Sequence, residues 1–351
     1  GCTRGCRFCH AGMVTRPVRE RPVAEVLQAM EDILESTGYE EIALLSLSSS
    51  DYTNVLELTE KIGQRFGHLG LNISLPSLRI ESVSTQLMDN LGDSRKSGFT
   101  LAPEAATEKM RNTINKFVSH EELLETAREI YRRDWRTIKL YFMIGHPMEA
   151  LEDVQAIIDL SKAVLAEGRR FHGKKASVNV GVSTFIPKPH TPFQWEAMDE
   201  TDKIYEKINL LKGQVRGDGL RLRWNNPRES LFEGYLSRGD RRVAEVVGRA
   251  WANGAKFDAW GEHFKEATWL EAFAAEGLDP TFFTHRQRTI DEIFPWEHID
   301  IAVTKKFLTQ DYLMSQAQET RVDCRNHCFA CGILPKLKDL RRETPDEAWE
   351  C

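Results

Sequence analysis

Gly1-Cys2-Thr3-Arg4-Gly5-Cys6-Arg7-Phe8-Cys9 opens the chain and sets three thiols at C-x3-C-x2-C spacing. A loop this short aims three thiolates at one centre. A cubane iron–sulfur cluster has four iron corners, normally held by four cysteine thiolates. Three ligands leave one corner open unless His10 swings in, and an open corner is where a substrate or cosubstrate binds. Gly1 and Gly5 suit a tight loop, because glycine adopts backbone angles that other residues avoid. Phe8 is an apolar cover beside the metal. The competing reading is a structural zinc loop, which fits less well because zinc usually takes four protein ligands in a closed site.

Downstream of the loop, helical and strand signals alternate. Val23 to Thr37 has helical apolar spacing, started by Pro22 and ended by Gly38. Glu41 to Ser48 is a nearly continuous apolar run, as expected of a strand covered on both faces. The pattern predicts further helices over Val55–Phe66, Val83–Leu91, Thr107–Ile114, a segment begun by Ser119, Ala150–Glu167 closed by Gly168, and Asp199–Lys212. The last has Asp199 as cap and Gly213 as terminator. Ser119 and Glu122 form a capping box. It predicts further strands over Asn72–Leu78, Gly98–Ala102, Thr137–Ile144 and Ser177–Ile186, with Leu220–Trp224 as a last short one. Alternation of this kind argues for parallel βαβ units. About five strands are plain, a count that fits a doubly wound open sheet as well as a partial barrel.

This architecture and the first loop, down to the aromatic residue before its last cysteine, resemble the radical S-adenosylmethionine (radical SAM) superfamily. The resemblance implies a partial (β/α)6 TIM-like barrel over residues 1–225, with a first strand expected upstream of Gly1, since in that family a strand precedes the cysteine loop. It implies that Cys2, Cys6 and Cys9 hold a [4Fe–4S] cluster whose open iron is chelated by S-adenosylmethionine. It also implies reductive cleavage of the sulfonium to methionine and a 5′-deoxyadenosyl radical, with the electron supplied by a flavodoxin or ferredoxin. Barrel chemistry sits at the C-terminal ends of strands, and the polar residues of this chain cluster there. Ser48, Ser49 and Ser50 replace the commoner Gly-Gly-Glu pattern beside the methionine amino group. Glu104 is a candidate for the ribose hydroxyls or amino group, and Arg111 for the carboxylate, with Arg79 as a further candidate of the same kind. Gly145, Pro147 and Glu149 resemble the Gly-x-Pro-x-Glu turn of the methylthiotransferases, on the adenosine side. Together with Leu101-Ala102-Pro103-Glu104-Ala105-Ala106-Thr107 and Ile186-Pro187-Lys188-Pro189-His190-Thr191-Pro192-Phe193, these turns resemble a poorly characterised branch. Its members often carry a cobalamin-binding domain before the core. No Asp-x-His-x-x-Gly signature occurs here, so cobalamin is implied only for a segment outside this chain.

From Asn226 the pattern becomes helical, over Ser230–Arg238, Asp240–Asn253 and Glu266–Glu276, giving a C-terminal region of residues 226–351. Cys324, Cys328 and Cys331 then repeat the C-x3-C-x2-C spacing, with Gly332 following. An auxiliary iron–sulfur cluster and a zinc site completed by His327 or Cys351 are both open. All seven cysteines of the chain lie at its ends, in clusters that read as metal sites in a reducing compartment rather than a disulfide framework. His298 and Asp300, between aromatics, are read as core or capping residues.

Charged residues are 28% of the chain and its net charge is −6, which argues for a globular protein without a general pull toward nucleic acid. No apolar run is long enough for a membrane span and no signal peptide is visible, so a cytoplasmic protein without a membrane partner is expected. The reading is therefore a radical SAM enzyme with an unidentified substrate, with methyl or sulfur-group transfer and RNA modification as options by analogy. The alternative is a non-catalytic zinc or iron–sulfur protein serving as a binding or scaffold module.

Overall fold

The computed structural model describes residues 1–75, 79–80, 85–90, 98–116 and 118–343. Parts of the expected 72–78 strand and 83–91 helix, and Cys351, lie outside them.

After the cysteine loop and a one-turn helix α1 (Ala11–Val14), α2 (Val23–Thr37) ends where expected. Gly38 takes the left-handed conformation there, and its N–H returns to the Leu34 carbonyl. β1 (Glu41–Ala43), α3 (Val55–Phe66), β2 (Asn72–Ser74), α4 (Thr85–Asn90), β3 (Phe99–Glu104), α5 (Glu108–Thr113) and α6 (His120–Arg132) follow. Next come β4 (Thr137–Ile144), α7 (Leu151–His172), β5 (Ser177–Thr184), α8 (Thr201–Gln214) and β6 (Leu220–Trp224). All ladders are parallel: β1 pairs with β2, and β3-β4-β5-β6 form one sheet in chain order. The expected α/β class and parallel topology are present, and the described strands form an open arrangement, compatible with a partial barrel, rather than a closed ring.

The sheet β3–β6 and helices α6, α7 and α8 enclose the main core, in which Leu140, Ile158, Val164 and Val178 are fully buried. Inward and outward residues alternate along β5. A smaller core joins α2 and α3 to β1 and β2.

Three element readings change. The strand expected over 41–48 ends at Ala43, and Leu45 and Leu47 are exposed. Side chains replace the ladder there: Ser46 Oγ accepts from the Ser48 N–H at 3.2 Å, and Ser49 Oγ donates to the Leu44 carbonyl at 3.1 Å. Helix α7 runs through Gly168 to His172. This glycine makes room rather than stopping the helix, since an added Cβ would sit 2.5 Å from the Tyr131 ring. Asp199 does not cap α8; it pairs with Lys207 at 2.6 Å, and the helix starts after Glu200.

Residues beyond β6 form α9 (Pro227–Arg238), α10 (Val243–Ala252), α11 (Glu266–Ala275), α12 (Pro280–Thr284) and α13 (Lys305–Gln316). The first four share a core built on Tyr235, Trp269, Phe273 and Phe283. The segment from Phe294 to Ile333, including α13, packs instead against Met13, Met110, Phe185 and Trp195 of the α/β part. The change of pattern at residues 225/226 is thus not a gap in packing. Asp300 accepts from the Ala302 N–H at 2.8 Å, as a capping residue would, and His298 is exposed rather than in the core.

Gly168→Ala puts a methyl group into the buried Tyr131 ring. It is expected to destabilise the protein by about 1–3 kcal/mol by overpacking, despite alanine's helix propensity. Urea denaturation checks this, and an unchanged or higher midpoint contradicts the packing role.

Candidate metal centre and cosubstrate site

The cysteine loop is shaped by its own glycines and held by residues far away in sequence. Gly5 has φ +72°, and a Cβ on Gly1 would lie 2.3 Å from the Pro17 carbonyl oxygen. Asn115, itself at φ +56°, donates its amide to the carbonyls of Arg4 and Gly5 at 3.2 and 3.1 Å. The Arg7 N–H bonds to the Ile114 carbonyl. The Arg7 side chain is fully buried and donates to the carbonyls of Asn112, Thr113 and Glu319 at 2.9, 3.0 and 2.7 Å. It also pairs with Asp311 at 3.3 Å, and Asp311 accepts from Arg321 at 2.8 Å. Arg7 thus caps the C-terminal carbonyls of α5, where a cation is favoured, while a C-terminal helix holds it from the other side.

The loop's thiols lie within electrostatic reach of one another. Burial raises the Cys2 thiol, and burial first and Cys6 second push Cys9 up to about 11. Donors already face the sulfurs: the Gly12 N–H lies 3.3 Å from Cys9 Sγ, and the Arg79 guanidinium 3.8 and 4.0 Å from Cys6 Sγ. Such donors favour thiolates over thiols. Three cysteines with donors facing two of their sulfurs suit a cluster ligated by three thiolates, whereas a closed zinc site would want a fourth ligand.

Polar residues at the C-terminal ends of β1, β2 and β3 gather around this loop. Ser48 and Ser49 line a cavity of about 620 Å³ together with Cys2, within the size range of small-molecule sites. Ser48 donates to Asp51 at 2.6 Å, and Ser50 accepts from the Arg79 N–H at 2.8 Å. Asp51 in turn pairs with Arg4 of the loop. Glu104 sits on an irregularity of β3 at φ +65°. Burial raises its carboxyl pKa, opposed by Lys116 and Arg79. Its charge is also felt at Cys9.

Other expected site residues lie elsewhere or are otherwise engaged. Arg111 is buried, with its guanidinium donating to the carbonyls of Ala106 and Ala105 at 2.8 and 3.4 Å. It braces the turn that follows Glu104 instead of reaching the thiols. Gly145, Pro147 and Glu149 border a separate cavity of about 300 Å³ with Asp199 and His285. Glu149 accepts from the Gly145 N–H at 2.7 Å and pairs with Lys207 at 2.6 Å, so it fixes its own turn. His146 connects this turn to the loop, its ring 6.4 Å from Phe8 and 5.2 Å from Phe185. Its ring is buried, and burial, opposed by a hydrogen bond with the Glu104 backbone, lowers its pKa to about 3. Lys188 pairs with Glu233, while His190 donates its backbone N–H to Gln194 at 3.1 Å. Asn115, Asp311 and the loop contacts of Arg7 were invisible in the sequence, because each partner lies about a hundred or more residues away.

Residues 1–161 match the Radical SAM superfamily. An uncharacterised protein of Methanocaldococcus jannaschii is 30% identical over 247 residues, 70% of this chain and 52% of that protein. The ribosomal protein uS12 methylthiotransferase RimO of Petrotoga mobilis is 22% identical over 176 residues, 48% of this chain and 40% of that enzyme. The chain spans about half the length of the curated relatives it matches. Among solved structures, the radical S-adenosylmethionine methyltransferase TsrM of Kitasatospora setae aligns at TM-score 0.46 and 14% identity, covering 91% of this chain and 59% of that one. Over residues 1–161 the chain carries a Radical SAM superfamily domain. Among the described residues, no helix is long and apolar enough to cross a membrane.

Asp311→Ala leaves Arg7 and Arg321 buried without their shared carboxylate. Breaking a buried pair in this way costs about 3–5 kcal/mol, and thermal melting under anaerobic conditions is expected to show that loss. A melting temperature within a degree or two of the parent contradicts the clamp role.

Proposed function

We propose that the chain is the catalytic core of a radical SAM enzyme that cleaves S-adenosylmethionine reductively and uses the resulting radical on a substrate yet to be identified. The observation that carries the reading is the donor-faced thiol triplet at the C-terminal rim of the parallel strands, beside a cavity large enough for a small molecule. Cys2, Cys6 and Cys9 would hold a [4Fe–4S] cluster with one iron open. When bound, that cluster supplies the electron that splits the sulfonium into methionine and a 5′-deoxyadenosyl radical.

The chain's own residues position and insulate. Arg79 is placed to neutralise a thiolate at Cys6, and it rather than Arg111 would meet the cosubstrate carboxylate beside that loop. Glu104, half-buried at the end of β3, would accept from hydroxyl or ammonium groups of the cosubstrate. Ser48 and Ser49 would present small polar groups where the backbone must approach a ligand. Phe8, Met13 and Phe185 supply an apolar wall that keeps water from the radical. A flavodoxin- or ferredoxin-type donor would deliver the electron. The methylthiotransferase relative makes group transfer to a macromolecule the first reaction to assay.

After anaerobic reconstitution with iron and sulfide, and with dithionite as reductant, the chain is expected to convert S-adenosylmethionine to 5′-deoxyadenosine and methionine. Cys6→Ala should abolish that conversion. Arg79→Ala should slow it by about 10–100-fold, the loss of a charged hydrogen bond, with the cluster's visible absorption retained. A zinc-loaded protein that leaves S-adenosylmethionine intact would instead support the scaffold reading.

A further inference from the structure

The second cysteine triplet lies against the back of the first. The Cys324 N–H donates to the Thr3 carbonyl at 3.2 Å, and the Thr3 hydroxyl to Asp323 at 2.8 Å. Asn115 spans the two, holding the Arg4 and Gly5 carbonyls with its amide and accepting from the Arg321 N–H at 2.8 Å. Cys324, Cys328 and Cys331 line one cavity of about 170 Å³, whose far wall is Thr3, Arg4 and Gly5. Cys324 and Cys331 are buried and Cys328 faces solvent. No disulfide links the described cysteines.

The loop is bent to produce this arrangement. Ala330 and Gly332, flanking Cys331, have φ +51° and +117°. A Cβ on Gly332 would lie 2.4 Å from the Ala302 carbonyl oxygen. Left-handed backbone at a non-glycine residue is strained and concentrates at functional sites. Arg4, Arg16 and Arg321 border the cavity, Arg4 already paired with Asp51 and Asp323 and Arg321 with Asp311. Arg321 Nη2 is buried there without a hydrogen-bond partner. Asp311 borders it too, but is held by Arg7 and Arg321.

We propose that this cavity holds a second iron–sulfur cluster of the cubane type, ligated by Cys324, Cys328 and Cys331. Each thiol would give its proton to solvent as its sulfur binds iron. A cubane bound by three thiolates is an anion, which the arginines would balance and to which Arg321 Nη2 would donate. Zinc would need a fourth ligand on one point, and His327 is outside the cavity, packed edge-on against Phe329 at 4.8 Å. The assignment does not depend on the cosubstrate reading of the first triplet.

The test is iron and sulfide analysis with electron paramagnetic resonance on the full chain, reconstituted anaerobically and reduced with dithionite. The intact chain is expected to bind roughly eight irons, as two four-iron clusters, and to give two signals, of which S-adenosylmethionine perturbs one. Cys328→Ser should halve the iron and remove the signal that S-adenosylmethionine leaves unchanged. The combined Cys2→Ala, Cys6→Ala and Cys9→Ala variant, checked for folding by circular dichroism, should keep roughly four irons. Roughly four irons in the intact chain, zinc in place of iron at the second triplet, or no iron in the folded first-triplet variant would each overturn the proposal. If that variant does not fold, the intact chain and Cys328→Ser decide it. Loss of S-adenosylmethionine cleavage with both signals present would count against the first reading and leave this one standing.

Discussion

Three thiolates in one short loop, as cluster ligation would require, would repel one another and lose hydration, so the fold around them must supply both positive charge and rigidity. Most of the unusual features of this chain answer that demand. Arg79 and the Gly12 N–H face the sulfurs. Arg7 is fixed among three backbone carbonyls and Asp311 with none of its surface exposed. Asn115 accepts a left-handed backbone in order to hold two loop carbonyls at once. A loop of nine residues has no core of its own, and its geometry is borrowed from elements a hundred and three hundred residues away.

That borrowing explains the architecture of the C-terminal region. Helix α13 carries Asp311 to Arg7 and contributes Phe307, Leu308 and Tyr312 to the apolar cluster that includes Met13. The loop at 321–331 then closes over the outer side of the first cysteines through Asp323 and Cys324. The region after residue 225 is therefore part of the metal centre's housing. Its contribution is ionic and hydrogen-bonded near the loop and apolar further out.

Much of this was legible in the sequence where information is local. The thiol spacing, the Ser119–Glu122 capping box, and the ends of α2, β4 and β6 follow from period, caps and ligand count, and the structure has them. Readings failed where one residue type serves two purposes. Gly168 looks like a helix stop, and only the Tyr131 ring beside it shows why a glycine sits in mid-helix. The apolar run after Ala43 looks like continuing strand, yet Ser46 and Ser49 capture its backbone. Arg111 and Glu149 follow strand ends, as ligand-binding residues would, but Arg111 is engaged by the carbonyls of its own turn and Glu149 by Lys207 and the Gly145 amide. The clamp of Arg7, Asp311 and Asn115 left no trace in the sequence, because nothing in a single chain marks which distant residues will meet.

The central claim is that the first three thiols leave one iron open to the amino acid end of S-adenosylmethionine. Electron–nuclear double resonance on the reduced protein, with the cosubstrate labelled by ¹⁷O in its carboxylate and ¹⁵N in its amino group, tests it directly. Hyperfine coupling from both labels to one cluster, lost in a Cys9→Ala variant, is the predicted result. A reduced cluster with no coupling to either label would contradict the account.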